Sequence, residues 1–167
     1  MERAQLDPRE ALRYILAGSA RFTVENTANG NRFTFHVIDF RLTQRGKAEA
    51  TQAAIDGKPM KELWFVRVLT GSDNSSDYIF IGSIQPRING EGYGNGKYRF
   101  KWSRKSPIGE GAKSVLCFEW ILDRAQAGNW PATVRFYHEG RCLRCGRRLT
   151  VPESIQSGFG PECAGKL

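Results

Sequence analysis

The protein has 167 residues, of which 40% are apolar and 11% are aromatic. This length is typical of one domain, and the apolar content is sufficient for a packed core, which excludes an intrinsically disordered chain. The apolar runs are far shorter than the roughly 18 residues that a membrane-spanning helix needs. Acids and a proline occupy residues 1–8, where a secretory signal needs an apolar run, so we expect the chain to stay in the cytosol.

The formal net charge is +8, and it is unevenly distributed. Residues 1–80 contain 11 basic and 10 acidic side chains, whereas residues 81–167 contain 14 and 7. The excess of basic residues in the second half of the chain favours a polyanionic partner. A cationic surface that only keeps the protein soluble would have the same excess of basic residues.

The first third of the chain predicts a helix and a β-hairpin. Asp7 and Pro8 are typical of a helix start, and Gly18 ends the apolar pattern that follows. Alternating residues 21–25 and 33–37 flank the turn signal Asn29-Gly30. Residues 41–60 follow neither period, which predicts a mobile loop or a frayed helix around residues 48–54.

The remaining pattern completes an α+β fold. It predicts a second hairpin (63–69 and 78–84), a strand (97–102), a helix (115–125) and a last strand (133–138). We expect an antiparallel sheet of five or six strands with two flanking helices. Residues 1–137 form this α+β domain, and residues 138–167 form a zinc knuckle or treble-clef-like module packed on it.

Three of the four cysteines, Cys142, Cys145 and Cys163, lie in the last 26 residues. Such clustering favours a metal site over a disulfide framework, and a redox pair would need a βαβ context that is missing here. A CxxC pair followed by Gly146 is typical of a zinc knuckle. We therefore predict a structural Zn²⁺ ion held by these cysteines, with His138 as the fourth ligand.

Two other residues are weighed against this ligand set. Cys117 is the cysteine alternative to His138, although its place in an apolar helix is more typical of a small core residue. His36 lies on the polar side of a predicted strand and is interpreted as a surface histidine.

The catalytic motifs that such a chain could carry are incomplete. A zinc deaminase needs HxE followed by PCxxC, a zincin needs HExxH, and a phosphate loop needs Lys-Ser/Thr after its glycines. None of these patterns occurs in the sequence. We expect the protein not to be an enzyme.

The cysteine segment resembles a known family. The pattern CLRCGRRLTVPESIQSGFGPEC at residues 142–163 is similar to the carboxy-terminal module of small, uncharacterised bacteriophage and prophage proteins, classed as a domain of unknown function. VLTGSDNSSDYIFIG at residues 68–82 resembles a stretch that often precedes that module. The resemblance implies a zinc-binding phage accessory protein, with Cys142, Cys145 and Cys163 as ligands, that acts in the cytoplasm of an infected bacterium.

Two functions compete. In the first, the protein binds nucleic acid, with Tyr93 or another aromatic side chain stacking on bases. The candidate phosphate-binding residues are Lys97, Arg99, Lys101, Arg104 and Lys105 around one strand and Arg141, Arg144, Arg147 and Arg148 on the knuckle. In the second, the protein inhibits or modulates a host defence or transcription protein, through loops 41–60 and 70–77 and an acidic surface on that partner. No membrane partner is expected, and the sequence leaves the oligomeric state open.

Overall fold

A computed structural model describes residues 5–73, 76–88 and 96–166. The helices are α1 (Ala11–Ile15), α2 (Gln44–Ile55), α3 (Lys113–Ala127), α4 (Pro152–Ser157) and α5 (Pro161–Ala164). The strands are β1 (Ser19–Asn26), β2 (Arg32–Asp39), β3 (Trp64–Leu69), β4 (Tyr78–Pro86), β5 (Tyr98–Trp102) and β6 (Val134–His138). All six strands pair antiparallel in the order β5-β4-β3-β2-β1-β6, which confirms the predicted α+β class and sheet.

Local signals in the sequence set the predicted helix boundaries. The Asp7 carboxylate accepts a hydrogen bond from the Arg9 amide at 3.0 Å and so caps a 3₁₀ turn that leads into α1. At the other helix that flanks the sheet, Gly128 follows α3 with φ of 67°, a left-handed conformation that costs glycine little.

Of the two alternatives predicted for residues 41–60, the helix is found and the mobile loop is not. The helix is the 12-residue α2, which extends beyond the residues 48–54 expected, and the Thr43 hydroxyl caps it by accepting from the Gly46 amide at 3.0 Å. Gly46 packs on the preceding turn so closely that a Cβ atom would lie 1.8 Å from the Phe40 carbonyl oxygen. The capping threonine and this close approach define a helix that hydrophobic periodicity alone does not reveal.

One face of the sheet holds the core. Helices α1 and α3 cover it, with Phe118 of α3 packed edge-on against Phe35 at 5.1 Å between ring centroids. The other face, here called the polar face, is the one on which Arg21, His36, Arg67 and Lys101 lie. The strands thus present apolar residues to the core, and the polar face carries these charged side chains together with Phe65 and Phe80.

The cysteine segment packs against the start of β1 and against α1. The Ser19 amide donates to the Leu143 carbonyl at 3.0 Å, and the Tyr14 and Phe159 rings lie 6.2 Å apart. Leu143, Leu149 and Phe159 belong to the same hydrophobic cluster as the buried face of the sheet. Among the described helices, none has the length and apolarity required to cross a membrane.

Gly82 fixes the contact between β4 and β5. A Cβ atom at this position would lie 2.3 Å from the Lys101 carbonyl oxygen and 2.8 Å from the Phe100 ring. We therefore expect Gly82→Ala to lower the free energy of unfolding by about 1–3 kcal/mol, because β5 must shift. Urea denaturation measures the change, and Gly109→Ala is the control, since no atom lies within 4 Å of its added Cβ. Equal stability of the two variants would contradict this packing.

Candidate functional site

The three carboxy-terminal cysteines form one cluster. The sulfur atoms of Cys142, Cys145 and Cys163 all lie within 4.8 Å of one another. The turn between the first two is closed by a hydrogen bond from the Gly146 amide to the Cys142 carbonyl at 2.9 Å, with Gly146 at φ of 79°. Cys163 lies on α5, whose first residue is Pro161. Local turn chemistry therefore brings together sulfurs that are 21 residues apart in the sequence.

The surroundings of Cys142 suit a thiolate ligand, whereas burial raises the pKa of Cys145. Burial opposes ionisation of Cys142, but the backbone amides of Cys145, Gly160 and Arg144 donate to its sulfur and hold its pKa below the ordinary value. The Arg144 guanidinium lies 3.8 Å from the Cys163 sulfur. Three sulfurs around a tetrahedral zinc ion lie about 3.8 Å apart, so small shifts would close the cluster on an ion. The three cysteines can therefore hold a metal ion.

His138 lies outside this cluster. It is completely buried at the end of β6, where its Nδ1 accepts from the Gly140 amide at 2.9 Å and its Nε2 contacts the Ile155 carbonyl oxygen. Burial lowers its pKa, and the contact with Ile155 partly offsets this decrease. With both ring nitrogens directed at backbone groups, His138 organises the start of the module and is not brought to the sulfurs.

Cys117 is also separate from the sulfur cluster. It lies on α3, partly buried against the core. Burial raises the pKa of its thiol to about 11, so the thiol stays protonated at neutral pH. A protonated thiol is a poor metal ligand. This environment is that of a small core residue.

A groove of about 750 Å³ lies beside β5. Its lining combines cationic and aromatic side chains, namely Lys61, Arg99, Lys101, Arg104, Phe65, Phe80, Phe100 and Trp102. Glu110 and Glu119 also reach it. The predicted cations Arg99, Lys101 and Arg104 are thus brought together around aromatic rings.

The other residues of that predicted cluster have different surroundings. Lys97 pairs with Glu62 at 3.7 Å and lies 5.3 Å from the centroid of the Tyr98 ring. Lys105 is exposed in the turn after β5. Tyr93, predicted as a stacking residue, lies outside the described residues.

The knuckle arginines surround the sulfur cluster. Arg144, Arg147 and Arg148 line a cavity of about 520 Å³ that also contains the three cysteines. Arg147 and Arg148 are exposed, whereas Arg144 is half-buried.

The two predicted cationic clusters therefore lie at opposite edges of the sheet. Strands β5 and β6 are separated by five strand spacings, or about 24 Å. Arg21 and Arg67 lie between these edges on the polar face. The alternating pattern of β1 and β3 predicts that these two arginines lie on a polar side of their strands. Which residues lie beside them depends on how the strands are paired, and a single sequence does not reveal that register.

The interpretation of His36 as a surface histidine is wrong. Its side chain is only 6% exposed, and the Ser19 hydroxyl lies 3.0 Å from its Nε2. Burial lowers the pKa of His36 to about 3, and the positive charges of Arg21, Arg67 and Arg141 contribute to the decrease. His36 is therefore neutral at physiological pH, and three arginines lie near it.

The low pKa of His36 predicts a loss of stability in acid. An unfolded histidine has a pKa of about 6.5. Below this pH, His36 is therefore protonated in the unfolded state but stays neutral in the folded state. The stability from neutral His36 is complete above pH 6.5 and decreases as the pH falls toward 3, by up to about 1.4 kcal/mol per unit. Urea denaturation between pH 7 and pH 4 measures it. His36→Gln should remove this component, and identical slopes for both proteins would contradict the assignment.

Comparison with known proteins yields one match. Residues 132–167, which include β6 and the cysteine cluster, match a family of unknown function (DUF6011). No curated protein and no solved structure matches the chain. The carboxy-terminal segment, with its three-cysteine cluster, is thus similar to an uncharacterised family.

Proposed function

We propose that the protein is a non-enzymatic, zinc-containing phage accessory protein that binds nucleic acid in the cytoplasm of an infected bacterium. The groove beside β5 carries this proposal. Proteins that bind single-stranded nucleic acid combine cations that follow the backbone with aromatic side chains that stack on bases. Lys101 and Arg104 supply exposed cations in this groove, and Phe65 and Phe80 are half-buried aromatic residues in it.

The position of the groove supports unpaired nucleic acid as the ligand. Phe65 and Phe80 pack edge-on against each other at 6.0 Å on the polar face, next to the cationic edge strand β5. Bases within a duplex are already stacked and cannot stack on these rings, whereas unpaired bases can. Arg147 and Arg148 at the other edge are then a second contact for a longer strand.

The metal in the proposed function is structural zinc. Cysteine thiolates favour zinc, and these three sulfurs would supply three of the four ligands that a structural zinc site needs, so that the ion would link residues 142–145 to α5. Zinc would supply folding energy to the module, and the resident side chains would supply all contacts with nucleic acid.

Removal of a sulfur ligand tests the metal. We expect one zinc ion per chain by native mass spectrometry, and loss of that ion in Cys145→Ser, because two sulfurs are too few for tight binding. Hydrogen exchange should accelerate within residues 138–167 while the central strands stay protected. Cys117→Ser is the matched control and should retain the ion. Zinc loss in Cys117→Ser, or its retention in Cys145→Ser, contradicts this ligand set.

Charge reversal in the groove tests nucleic-acid binding. Fluorescence anisotropy with labelled single-stranded DNA and RNA, at several salt concentrations, should give affinities that fall linearly in log salt. Lys101→Glu or Arg104→Glu should each weaken binding and reduce the magnitude of the salt slope by about one, because one phosphate contact is lost. Duplexes should bind more weakly.

The control for these variants is Lys113→Glu, which makes the same change in net charge at the start of α3, where Lys113 lines a different cavity with Val24 and Trp120. It should bind as tightly as the unmodified protein. If all three variants lose the same affinity, net charge alone explains binding. If no nucleic acid binds at low salt, the proposed function is wrong.

A host protein is the second candidate partner, favoured by α2. Ile55 at the end of this helix is 73% exposed, and Leu42 just before it is 48% exposed. These two single apolar side chains, at opposite ends of the helix, are the contacts that a protein partner would cover. Retention of a host protein by the unmodified chain, and its loss on Ile55→Ser, would support this candidate.

A further inference from the structure

A row of charged and aromatic side chains crosses the centre of the polar face. Arg21, His36 and Arg67 lie directly opposite one another on β1, β2 and β3. Directly paired side chains have Cβ atoms about 5 Å apart, so the two arginines flank the buried histidine. Tyr78 of β4 closes the row, with its ring 5.5 Å from the His36 ring and 5.8 Å from the Arg21 guanidinium.

Arg141 joins this row from the cysteine module. Its guanidinium donates to the Gly146 carbonyl at 3.2 Å. A Cβ atom on the same glycine would lie 3.8 Å from the Arg21 guanidinium and 3.3 Å from the Ser19 hydroxyl. The knuckle turn therefore holds Arg141 beside Arg21. We call Arg21, Arg67 and Arg141, with His36 and Tyr78, the arginine cluster.

The arginine cluster has more positive than negative charge. Within the described parts of the chain, no ion pair joins Arg21, Arg67 or Arg141 to a carboxylate. Glu139 is the acid whose charge reaches Tyr78, and it also accepts a hydrogen bond from the Thr23 hydroxyl. Three guanidinium groups thus face one nearby carboxylate, and His36 between them adds no compensating charge.

Two buried donors in the cluster lack a protein acceptor. Arg21 Nε is inaccessible to solvent and makes no hydrogen bond within the described residues. The Tyr78 hydroxyl is also inaccessible; its oxygen interacts with the Arg21 guanidinium, but its own proton has no acceptor there. A buried donor without an acceptor is destabilising, and a bound anion at the cluster would supply the acceptor. Arg67, by contrast, is exposed, so the cluster is reached from solvent on that side.

We propose that the arginine cluster is a binding site for a phosphomonoester dianion. Three guanidinium groups against one carboxylate leave an excess of two positive charges, which a dianion balances and a phosphodiester or carboxylate does not. Guanidinium groups bind phosphate oxygens in bidentate geometry, and the tyrosine hydroxyl and the Arg21 Nε–H add donors. Such a ligand is either the terminal phosphate of a nucleic-acid strand or a free nucleotide.

The site goes beyond the proposed nucleic-acid function and does not depend on it. The groove beside β5 binds a strand through several phosphodiesters and bases, whereas the arginine cluster binds one dianion through residues of β1, β3, β4 and the module. A substitution in one site should therefore leave binding at the other site unchanged. Lys101→Glu should weaken oligonucleotide binding and leave phosphate binding unchanged.

Titration of the full-length, zinc-loaded protein tests the site. Inorganic phosphate and adenosine 5′-monophosphate are added at constant ionic strength, with adenosine as the uncharged control, and binding is followed by isothermal titration calorimetry. Phosphate and the nucleotide should bind, and adenosine should not. Arg67→Gln should weaken binding at least about tenfold, because a charged hydrogen-bonding partner is lost. Arg67→Lys should show a smaller loss, since it keeps the charge without the bidentate geometry.

Arg32→Gln is the matched control. Arg32 is exposed on the same strand and the same side as His36, but four residues away, or about 13 Å. It should bind phosphate like the unmodified protein. Tyr78→Phe removes only a hydroxyl group and provides a second test if substitution of an arginine disturbs folding; it should also weaken binding. Absence of binding, or equal binding by Arg67→Gln and Arg32→Gln, would overturn the proposal.

Oligonucleotides distinguish the two sources of the dianion. If the ligand is a strand end, a 5′- or 3′-phosphorylated oligonucleotide should bind more tightly than its hydroxyl-ended counterpart, and Arg67→Gln should abolish the difference. If the ligand is a free nucleotide, both oligonucleotides bind equally while adenosine 5′-monophosphate still binds. Either result supports a phosphomonoester site.

Discussion

A continuous series of aromatic contacts connects the two edges of the sheet. Phe136 of β6 stacks on Phe22 of β1 at 4.7 Å, and Phe22 contacts Phe35 of β2 at 5.9 Å. Phe118 of α3 then packs edge-on against both Phe35 and Phe100 of β5, at 5.1 Å in each case. These rings bury large apolar areas, and their offset and edge-on geometries are favourable. Because they occupy one face, the charged side chains of the strands lie on the other face, and the groove lies at the β5 edge, where Lys101 of the polar face and Phe100 of the core face both line it.

Packing between the module and the sheet gives the cysteine cluster a fixed position. The Ser19 amide at the start of β1 donates to the Leu143 carbonyl, and the ring of Phe159 packs against Tyr14 of α1. A metal ion at the sulfurs would therefore stabilise a turn that touches the first residues of a central strand. Metal binding would thus act on the same turn that holds Arg141 beside the polar face.

Much of this arrangement follows from local patterns in the sequence. Alternating residues predict both hairpins, Asp7 predicts the start of the first helical segment, and the CxxCG pattern predicts the turn that brings two of the sulfurs together. The patterns that fail are those that depend on distant partners. His36 alternates like a surface residue, but the strand on each side contributes an arginine and Ser19 covers it, so it is buried. His138 has suitable spacing for a zinc ligand, yet the backbone of residues 140 and 155 engages both of its nitrogens. Strand register and backbone proximity decide both cases, and neither is visible in hydrophobic periodicity.

The match to the uncharacterised family begins at residue 132, just before β6 starts at Val134. The segment shared with that family is thus a strand followed by a knuckle, and not the knuckle alone. Through β6 it pairs with β1 and completes the sheet, and through Leu143 and Phe159 it enters the core. A protein that acquired this segment by recombination would need an unpaired edge strand to receive it. A fusion that transfers this segment to another protein should therefore be joined in the loop between α3 and β6. A chimera joined between β6 and Cys142 would separate the knuckle from the strand that holds it on the sheet.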